Sequence, residues 1–253
     1  MILSNPLIIA NWKMGVPCSE ARGWVDQFEK LTTPASRKHA VILPSFLSLS
    51  IVRQVDRALF LGSQDCSAFG EPAHTGSIPA TDIKEIGCQY ALIGHSERRR
   101  WNGETDELIH AKVIQATAAG LTPILCIGED AQQRKIGKTK VALRSQLRHA
   151  LQPLPEKLTA LIVAYEPVWA IGGSAAASPT IITETHRWIR QILDRLPIKH
   201  SLIVYGGAVD EMTLPLICQL PNVNGVLVGR ASWKAESFSR LVLAVHDKGS
   251  RLV

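Results

Sequence analysis

Eight short apolar runs recur along the chain, and longer helix-like segments separate them. The runs cover residues 7–11, 40–43, 59–62, 90–93, 123–127, 161–164, 202–205 and 225–228. They are continuous rather than alternating, which is typical of strands that are covered on both faces. The segments between them predict helices, for example over residues 19–30, 107–119, 180–196 and 235–245.

Eight strand–helix repeats in 253 residues match the size of a (β/α)8 barrel, so we predict the α/β class with a TIM barrel. The rival architecture is an open, doubly wound sheet. A G-x-G-x-x-G turn would favour that sheet, but the letters NWKMG follow the first strand instead. No linker and no shift in composition divides the chain, so we expect a single domain over residues 1–253.

Composition narrows the range of partners. The chain is 46% hydrophobic, with a net charge of +6 and a sequence pI near 9.2. A positive net charge favours anionic partners. However, no lysine tract or aromatic–basic interleaving indicates nucleic acid, and no apolar stretch is long enough to span a membrane. We expect a small anionic molecule as partner, with no nucleic acid and no membrane.

The cysteines indicate a reducing compartment. There are five, they are widely scattered, and none forms a C-x-x-C pair: Cys18, Cys66, Cys88, Cys126 and Cys218. This arrangement suggests neither a disulfide framework nor a zinc site. Residues 1–10 also lack the basic start of a signal peptide. We therefore expect a cytoplasmic protein.

Chemistry in such a barrel lies at the carboxyl ends of the strands. The polar or glycine residues at those ends are Asn11, Lys13, Gln64, Asp65, His95, Glu97, Glu129, Glu166, Gly206, Gly207, Gly229 and Arg230. These are the residues that we examine for a site.

Glu166 has the features of a general base. It ends an apolar run, and Pro167 restricts it to extended backbone angles, while Gly172 and Gly173 make the far side of the next loop flexible. Removing a proton from carbon requires a carboxylate that is held in place and shielded from water. The alternative is an ordinary salt-bridge partner.

His95 and Lys13 follow two other strands. Ser96 and Glu97 resemble the start of a helix, whose positive end disfavours imidazolium, so we expect a neutral imidazole that exchanges protons with a carbonyl oxygen. The Lys13 ammonium can stabilise negative charge on oxygen. Glu97 can pair with Lys13 or with a nearby arginine. A packed histidine and a solvated lysine are the alternatives.

Glycine turns predict where an anion binds. Backbone amides at Gly172, at residues 206–207 and at residues 229–230 can approach a phosphate closely. Turns need glycine in any case, so one pair alone would carry little weight. Two such turns after adjacent late strands favour a phosphate site.

These motifs together resemble the triosephosphate isomerase family. The resemblance is carried by NWKM at 11–14, TG at 75–76, GHSERR at 94–99, GET at 103–105, LCIGE at 125–129, AYEPVWAIG at 164–172, YGG at 205–207, VG at 228–229 and AESF at 235–238. The motifs span essentially the whole chain, and several are highly specific.

The resemblance implies interconversion of dihydroxyacetone phosphate and D-glyceraldehyde 3-phosphate on a (β/α)8 barrel, without a metal or cofactor. It implies that Glu166 moves the proton between carbons and that His95 polarises the carbonyl. Lys13 and Asn11 would stabilise the enediolate, Glu97 would support them, and the loop from residue 167 would close over the substrate. A homodimer through the loop around Thr75 is implied too.

The chain departs from the family pattern in several places. The far half of the lid reads GSAAAS at 173–178, and Ala208 replaces a serine, which removes one hydroxyl near the phosphate but keeps the backbone amide. The letters GRASW at 229–233 replace Gly-Gly-Ala-Ser-Leu, so Arg230 adds charge there, and Asp65 and Ser77 replace asparagine and glutamate.

These departures leave two alternative functions open. One is isomerisation of a tetrulose phosphate such as erythrulose phosphate, and the other is a non-catalytic barrel that binds sugar phosphates. The intact set of Lys13, His95 and Glu166 favours an enzyme over the second.

Overall fold

A closed barrel of eight parallel strands forms the centre of the molecule. The computed structural model describes residues 5–171 and 176–249. The strands pair in chain order, and the last pairs with the first. They are β1 (Leu7–Asn11), β2 (Ala40–Leu43), β3 (Phe60–Ser63), β4 (Tyr90–Ile93), β5 (Thr122–Ile127), β6 (Ala160–Tyr165), β7 (His200–Tyr205) and β8 (Gly225–Val228). The predicted TIM barrel is confirmed.

Helices connect consecutive strands on the outside of the barrel. They are α1 (Ala21–Leu31), α2 (Pro34–Arg37), α3 (Phe46–Val55), α4 (Ala80–Glu85), α5 (Ser96–Trp101), α6 (Asp106–Ala118), α7 (Ala131–Lys135), α8 (Thr139–Leu151), α9 (Pro179–Leu193), α10 (Leu214–Ile217) and α11 (Ala235–Gly249). Short 3-10 turns cover Cys18–Glu20, Val168–Ala170 and Arg230–Ser232.

Local capping explains where several helices begin. The Thr105 side chain accepts the Leu108 N–H at the start of α6, and Ser178 accepts the Ile181 N–H at the start of α9, where a proline takes the first position. Each cap satisfies an amide that has no partner inside the helix. Such caps typically contribute about 1 kcal/mol, so burial of the apolar faces supplies the larger share of stability.

The continuous apolar runs arise because both faces of each strand are buried. Along β1, Leu7 and Ile9 point into the barrel interior, while Ile8 and Ala10 pack between the strands and the helices. Full burial of a leucine or isoleucine contributes about 1.5–3 kcal/mol, so a polar residue on either face would be costly. Polar residues are therefore confined to the strand ends.

The parallel arrangement brings all eight carboxyl ends to one mouth of the barrel, and the polar residues found there form the candidate site. Across residues 5–171 and 176–249, no helix has the length and apolar character needed to cross a membrane.

Candidate active site

A single open cavity at this mouth is lined by the sequence-predicted site residues that the structure describes: Asn11, Lys13, His95, Glu97, Glu166, Gly206, Gly207, Ala208, Gly229 and Arg230. They come from β1, β4, β6, β7 and β8 and the segments just after those strands. Gly172 lies outside the described residues, and the other strand-end residues, Gln64, Asp65 and Glu129, are not among those that line the cavity.

Glu166 is a buried carboxylate held from three sides. Its N–H donates to the Ile127 carbonyl at 2.7 Å. Its Oε1 lies 3.1 Å from Nε2 of His95, and its Oε2 accepts the Ser96 N–H at 3.0 Å. Only 2% of the residue is exposed. These contacts fix the carboxylate in the cavity wall, as a base acting on carbon requires.

Gly206 makes room for that carboxylate. A Cβ at position 206 would lie 2.8 Å from Cγ of Glu166, which is closer than carbon atoms pack. The glycine is therefore needed for the position of the Glu166 side chain, whatever its backbone contributes to anion binding.

His95 caps helix α5 with its ring. Its Nδ1 accepts the Glu97 N–H at 3.2 Å, so this nitrogen carries no proton. In a neutral ring the proton then lies on Nε2, which faces Glu166. A neutral His95 ring would therefore direct its one donor at Glu166 and into the cavity.

Glu166 and His95, which are both buried, shift each other's pKa. Burial raises the pKa of Glu166, but attraction to His95 and hydrogen bonds from His95 and the Ser96 N–H outweigh it, so that the pKa is lowered. Burial lowers the pKa of His95, but the Glu166 carboxylate outweighs it and raises the pKa. Glu166 is accordingly ionised at neutral pH, the form that a base needs.

Lys13 adopts an uncommon backbone conformation. Its φ is +50°, in the left-handed region that costs a residue with a side chain about 1–2 kcal/mol. The Lys13 N–H donates to Oδ1 of Asn11 at 3.0 Å, and its carbonyl accepts from Nε2 of Gln64 at 2.9 Å. Gln64 thus helps hold the loop, a role that its place at a strand end did not reveal.

The ammonium of Lys13 lies 2.5 Å from Oε1 of Glu97, whose other oxygen is 3.8 Å from Nδ1 of His95. Lys13, Glu97, His95 and Glu166 therefore form one continuous row of charged or polar side chains. Of the two partners considered for Glu97, the structure contains the Lys13 pair.

The neighbouring arginines serve other contacts. Arg98 binds Oδ2 of Asp65 at 2.8 Å and also pairs with Glu104, while Lys112 binds Oδ1 of Asp65 at 2.7 Å and pairs with Glu104 as well. This group of four charges, of which Asp65, Glu104 and Lys112 are buried and Arg98 is partly exposed, holds the start of the 64–79 loop against α5 and α6. Sequence reasoning missed it because its members are far apart along the chain.

Glu129 anchors the near end of the loop that follows β6. It is fully buried, and its Oε1 accepts from Nε1 of Trp169 at 2.9 Å, from the Tyr165 hydroxyl at 3.2 Å and from Nη1 of Arg134 at 3.2 Å. The Arg134 guanidinium also lies 4.9 Å from the Trp169 ring centroid. Its place at the end of β5 was the one available sequence signal.

The far end of the same loop is bound to β7. The Ala177 N–H donates to the Tyr205 hydroxyl at 2.9 Å. A Cβ on Gly207 would lie 2.1 Å from that oxygen, so the second glycine of the pair accommodates Tyr205. Residues 173–175, part of the altered lid half, lie outside the described residues.

The glycine turns that follow β7 and β8 lie near Lys13. A Cβ on Gly229 would lie 3.3 Å from Cε of Lys13 and 3.7 Å from its Nζ. Ala208 and Arg230 line the same cavity. An anion bound at these turns would therefore lie beside the ammonium and on the opposite side of the mouth from His95.

Comparison with known proteins gives a consistent result. A family model described as triosephosphate isomerase matches residues 6–245. Three relatives, each named triosephosphate isomerase, come from Aquifex aeolicus (36% identical over 93% of this chain and 98% of the relative), Thermus thermophilus (39%, over 93% and 97%) and Polynucleobacter asymbioticus (38%, over 92% and 96%). The similarity extends along nearly the full length of both partners.

Proposed function

The chain belongs to the triosephosphate isomerase family, and on that premise we propose that Glu166, His95 and Lys13 carry out its isomerisation of triose phosphate. The matches favour this activity over the tetrulose phosphate and non-catalytic alternatives. The observation that carries the proposal is the continuous row from Lys13 to Glu166 in one cavity.

Glu166 is the base that takes a proton from the carbon beside the carbonyl. In the substrate-free arrangement its carboxylate rests on the Ser96 N–H and on His95. A substrate carbonyl that accepts the Nε2 proton of His95 would replace one of these contacts and free the carboxylate. Once the loop from residue 167 has closed over the substrate, the base acts in a site from which water is excluded, and its reactivity rises there.

His95 acts on the oxygens of the substrate. Its Nε2–H donates to the carbonyl oxygen as negative charge develops there, and the ring then exchanges protons between the two neighbouring oxygens. The Glu97 N–H on Nδ1 keeps the ring in this tautomer. A neutral donor serves because its proton affinity is close to that of the enediolate it must protonate.

Lys13 and Asn11 stabilise the charge of the enediolate. The ammonium is already positioned by Glu97, and Asn11 holds the Lys13 backbone. Because these groups are in place before the substrate binds, little reorganisation is required during the reaction. Glu97 is a positioning residue for both Lys13 and His95.

The phosphate binds at the late turns. Backbone amides at residues 206–208 and 229–230 adjoin the cavity. Gly172, the other residue that the sequence predicts for the phosphate, lies outside the described residues. Gly229 lies against Lys13, so one cation serves both the phosphate and the enediolate. Ala208 contributes only its backbone, while Arg230 adds a guanidinium at the mouth. The lid from residue 167 closes over the bound substrate, and no metal or cofactor takes part.

A coupled dehydrogenase assay with D-glyceraldehyde 3-phosphate tests the roles of these residues. We expect turnover by the purified chain and a loss of at least a thousandfold in kcat for Glu166→Gln, which keeps the shape but not the base. Gly23→Ala is the matched control, since a Cβ there meets nothing within 4 Å, and it should retain full activity. Absence of turnover in the parent, or near-parent activity in Glu166→Gln, would refute the proposal.

The same premise supports a homodimer formed through the loop around Thr75. Large apolar side chains are exposed after the first four strands: Met14 at 96%, Leu47 at 78%, Trp101 at 70% and Phe69 at 42%. The ring of Phe69 stacks on His74 at 3.8 Å within the loop. Adjacent exposed apolar groups of this kind are typical of subunit interfaces.

Light scattering during gel filtration tests the dimer. The expected mass is twice the 27.7 kDa of one chain, and Thr75→Arg should shift it toward the monomer, while Met212→Arg, at an exposed position after β7, should not. A monomeric parent protein would contradict the dimer. We further propose a cytoplasmic location and one domain over residues 1–253. The five cysteines all lie in the described part of the chain and form no disulfide there, in keeping with a reducing compartment.

A further inference from the structure

The loops that follow β1 and β8 meet at Gly15 and Trp233. A Cβ placed on Gly15 would lie 2.2 Å from two ring carbons of Trp233 and 2.5 Å from its Nε1. The indole therefore lies flat against the glycine backbone and leaves no space for a methyl group. Gly15 is not among the residues with positive φ, so close packing with Trp233, and not backbone conformation, is what requires glycine there.

This contact lies beside Lys13, whose left-handed backbone must be held in place. The Gly15 N–H donates to the Trp12 carbonyl at 2.8 Å, which closes the turn around Lys13. Met14 is 96% exposed, so the outer side of the turn has no packing within the described chain. Trp233 supplies packing from the side of β8.

On its other side, the contact belongs to the turn after β8, at residues 229–233. The Trp233 N–H donates to the Arg230 carbonyl at 3.2 Å, and the hydroxyl of Ser232 donates to the Gly229 carbonyl at 2.7 Å. The indole thus belongs to the same short turn as Gly229, which itself lies against Lys13. Trp233 contacts the loop after β1 at Gly15, and Gly229 contacts it at Lys13.

We propose that Trp233 is a positioning residue that clasps the Lys13 loop to the turn at Gly229 and so sets the distance between the ammonium and the phosphate site. The inference rests on the proposed function, because it concerns the same anion and the same lysine. Trp233 and Gly15 have this role together, because the contact requires both the indole ring and the absence of a side chain at position 15.

The test is a double-mutant cycle with Gly15→Ala, Trp233→Ala and the combined variant. Trp233→Ala removes the clasp, and Gly15→Ala displaces the ring, so each should lower kcat/KM about tenfold to a hundredfold, since misplacement by about 1 Å is that costly. KM and the inhibition constant of inorganic phosphate should rise more than kcat falls. In the combined variant the methyl group meets no ring, so its activity should match that of Trp233→Ala alone.

Two further variants separate this clasp from a general structural effect. Trp233→Phe keeps a flat ring and should recover most of the phosphate affinity, and Gly23→Ala should leave kinetics unchanged. If Trp233→Ala does not fold, Gly15→Ala and Trp233→Leu carry the test. The proposal would be overturned if the losses of Gly15→Ala and Trp233→Ala add in the combined variant. It would also be overturned if either single variant keeps a kcat/KM within twofold of the parent's. An inactive parent would instead count against the proposed function, and phosphate binding by the variants would still decide the clasp.

Discussion

His186 should make the protein lose stability in mild acid. Its ring is fully buried behind β6, where Nδ1 contacts the Asn222 carbonyl at 3.1 Å and Tyr165 packs edge-on at 5.9 Å. Burial lowers its pKa to about 4, although the Asn222 carbonyl opposes the shift. An unfolded histidine has a pKa of about 6.5.

The sign follows from proton uptake. Between pH 6.5 and 4 the unfolded chain binds a proton that the folded chain does not, so the free energy of unfolding falls as the pH falls. The full difference is about 3 kcal/mol, of which about 2 kcal/mol is lost at pH 5. Above pH 6.5 the histidine has no effect of this kind.

Urea denaturation at pH 7.5 and pH 5.0, at one protein concentration, measures the effect. The variant His186→Gln retains an amide donor and does not titrate, so it should lose about 2 kcal/mol less than the parent between the two pH values. His200→Gln, at an exposed position, should behave as the parent does. An equal loss in the parent and in His186→Gln would refute the reasoning.

Three more substitutions test other parts of the structure. Lys112→Met leaves two buried carboxylates short of a cation and should lower the free energy of unfolding by about 3–5 kcal/mol in urea denaturation; a loss below 1 kcal/mol would contradict this. Gly206→Ala pushes the Glu166 side chain and should reduce kcat/KM at least tenfold with a nearly unchanged melting temperature, whereas parent-like kinetics would disprove the steric argument. Trp169→Phe removes a donor to buried Glu129 and should cost about 1.5–3 kcal/mol, and an unchanged urea midpoint would show that the bond is unimportant.

The fold could be predicted from the apolar runs because a strand that is buried on both faces is apolar at consecutive positions. The bounds of β4 match the prediction, and those of β3 differ by one residue, Phe60–Ser63 instead of 59–62. β7 begins two residues early, at His200 and Ser201. Polar residues at the open bottom of the barrel carry no apolar pattern, so hydropathy could not find them.

The residues that line the cavity could be predicted because strand ends converge by topology alone. Contacts between distant loops could not be identified in this way. Nothing in the amino-acid sequence shows that Gly207 accommodates the Tyr205 hydroxyl or that Gly15 packs against the Trp233 ring. A glycine required by a neighbour at van der Waals distance looks, in sequence, the same as one required by a turn.

The central claim is that Glu166 removes a proton from carbon, and isotope exchange tests it most directly. Dihydroxyacetone phosphate is incubated with the protein in D2O and followed by proton NMR. Because a proton held by a carboxylate exchanges with solvent, we predict deuterium on carbon in substrate and product, with both exchange and isomerisation lost in Glu166→Gln. Product formed without deuterium, or exchange that persists in Glu166→Gln, would contradict the account.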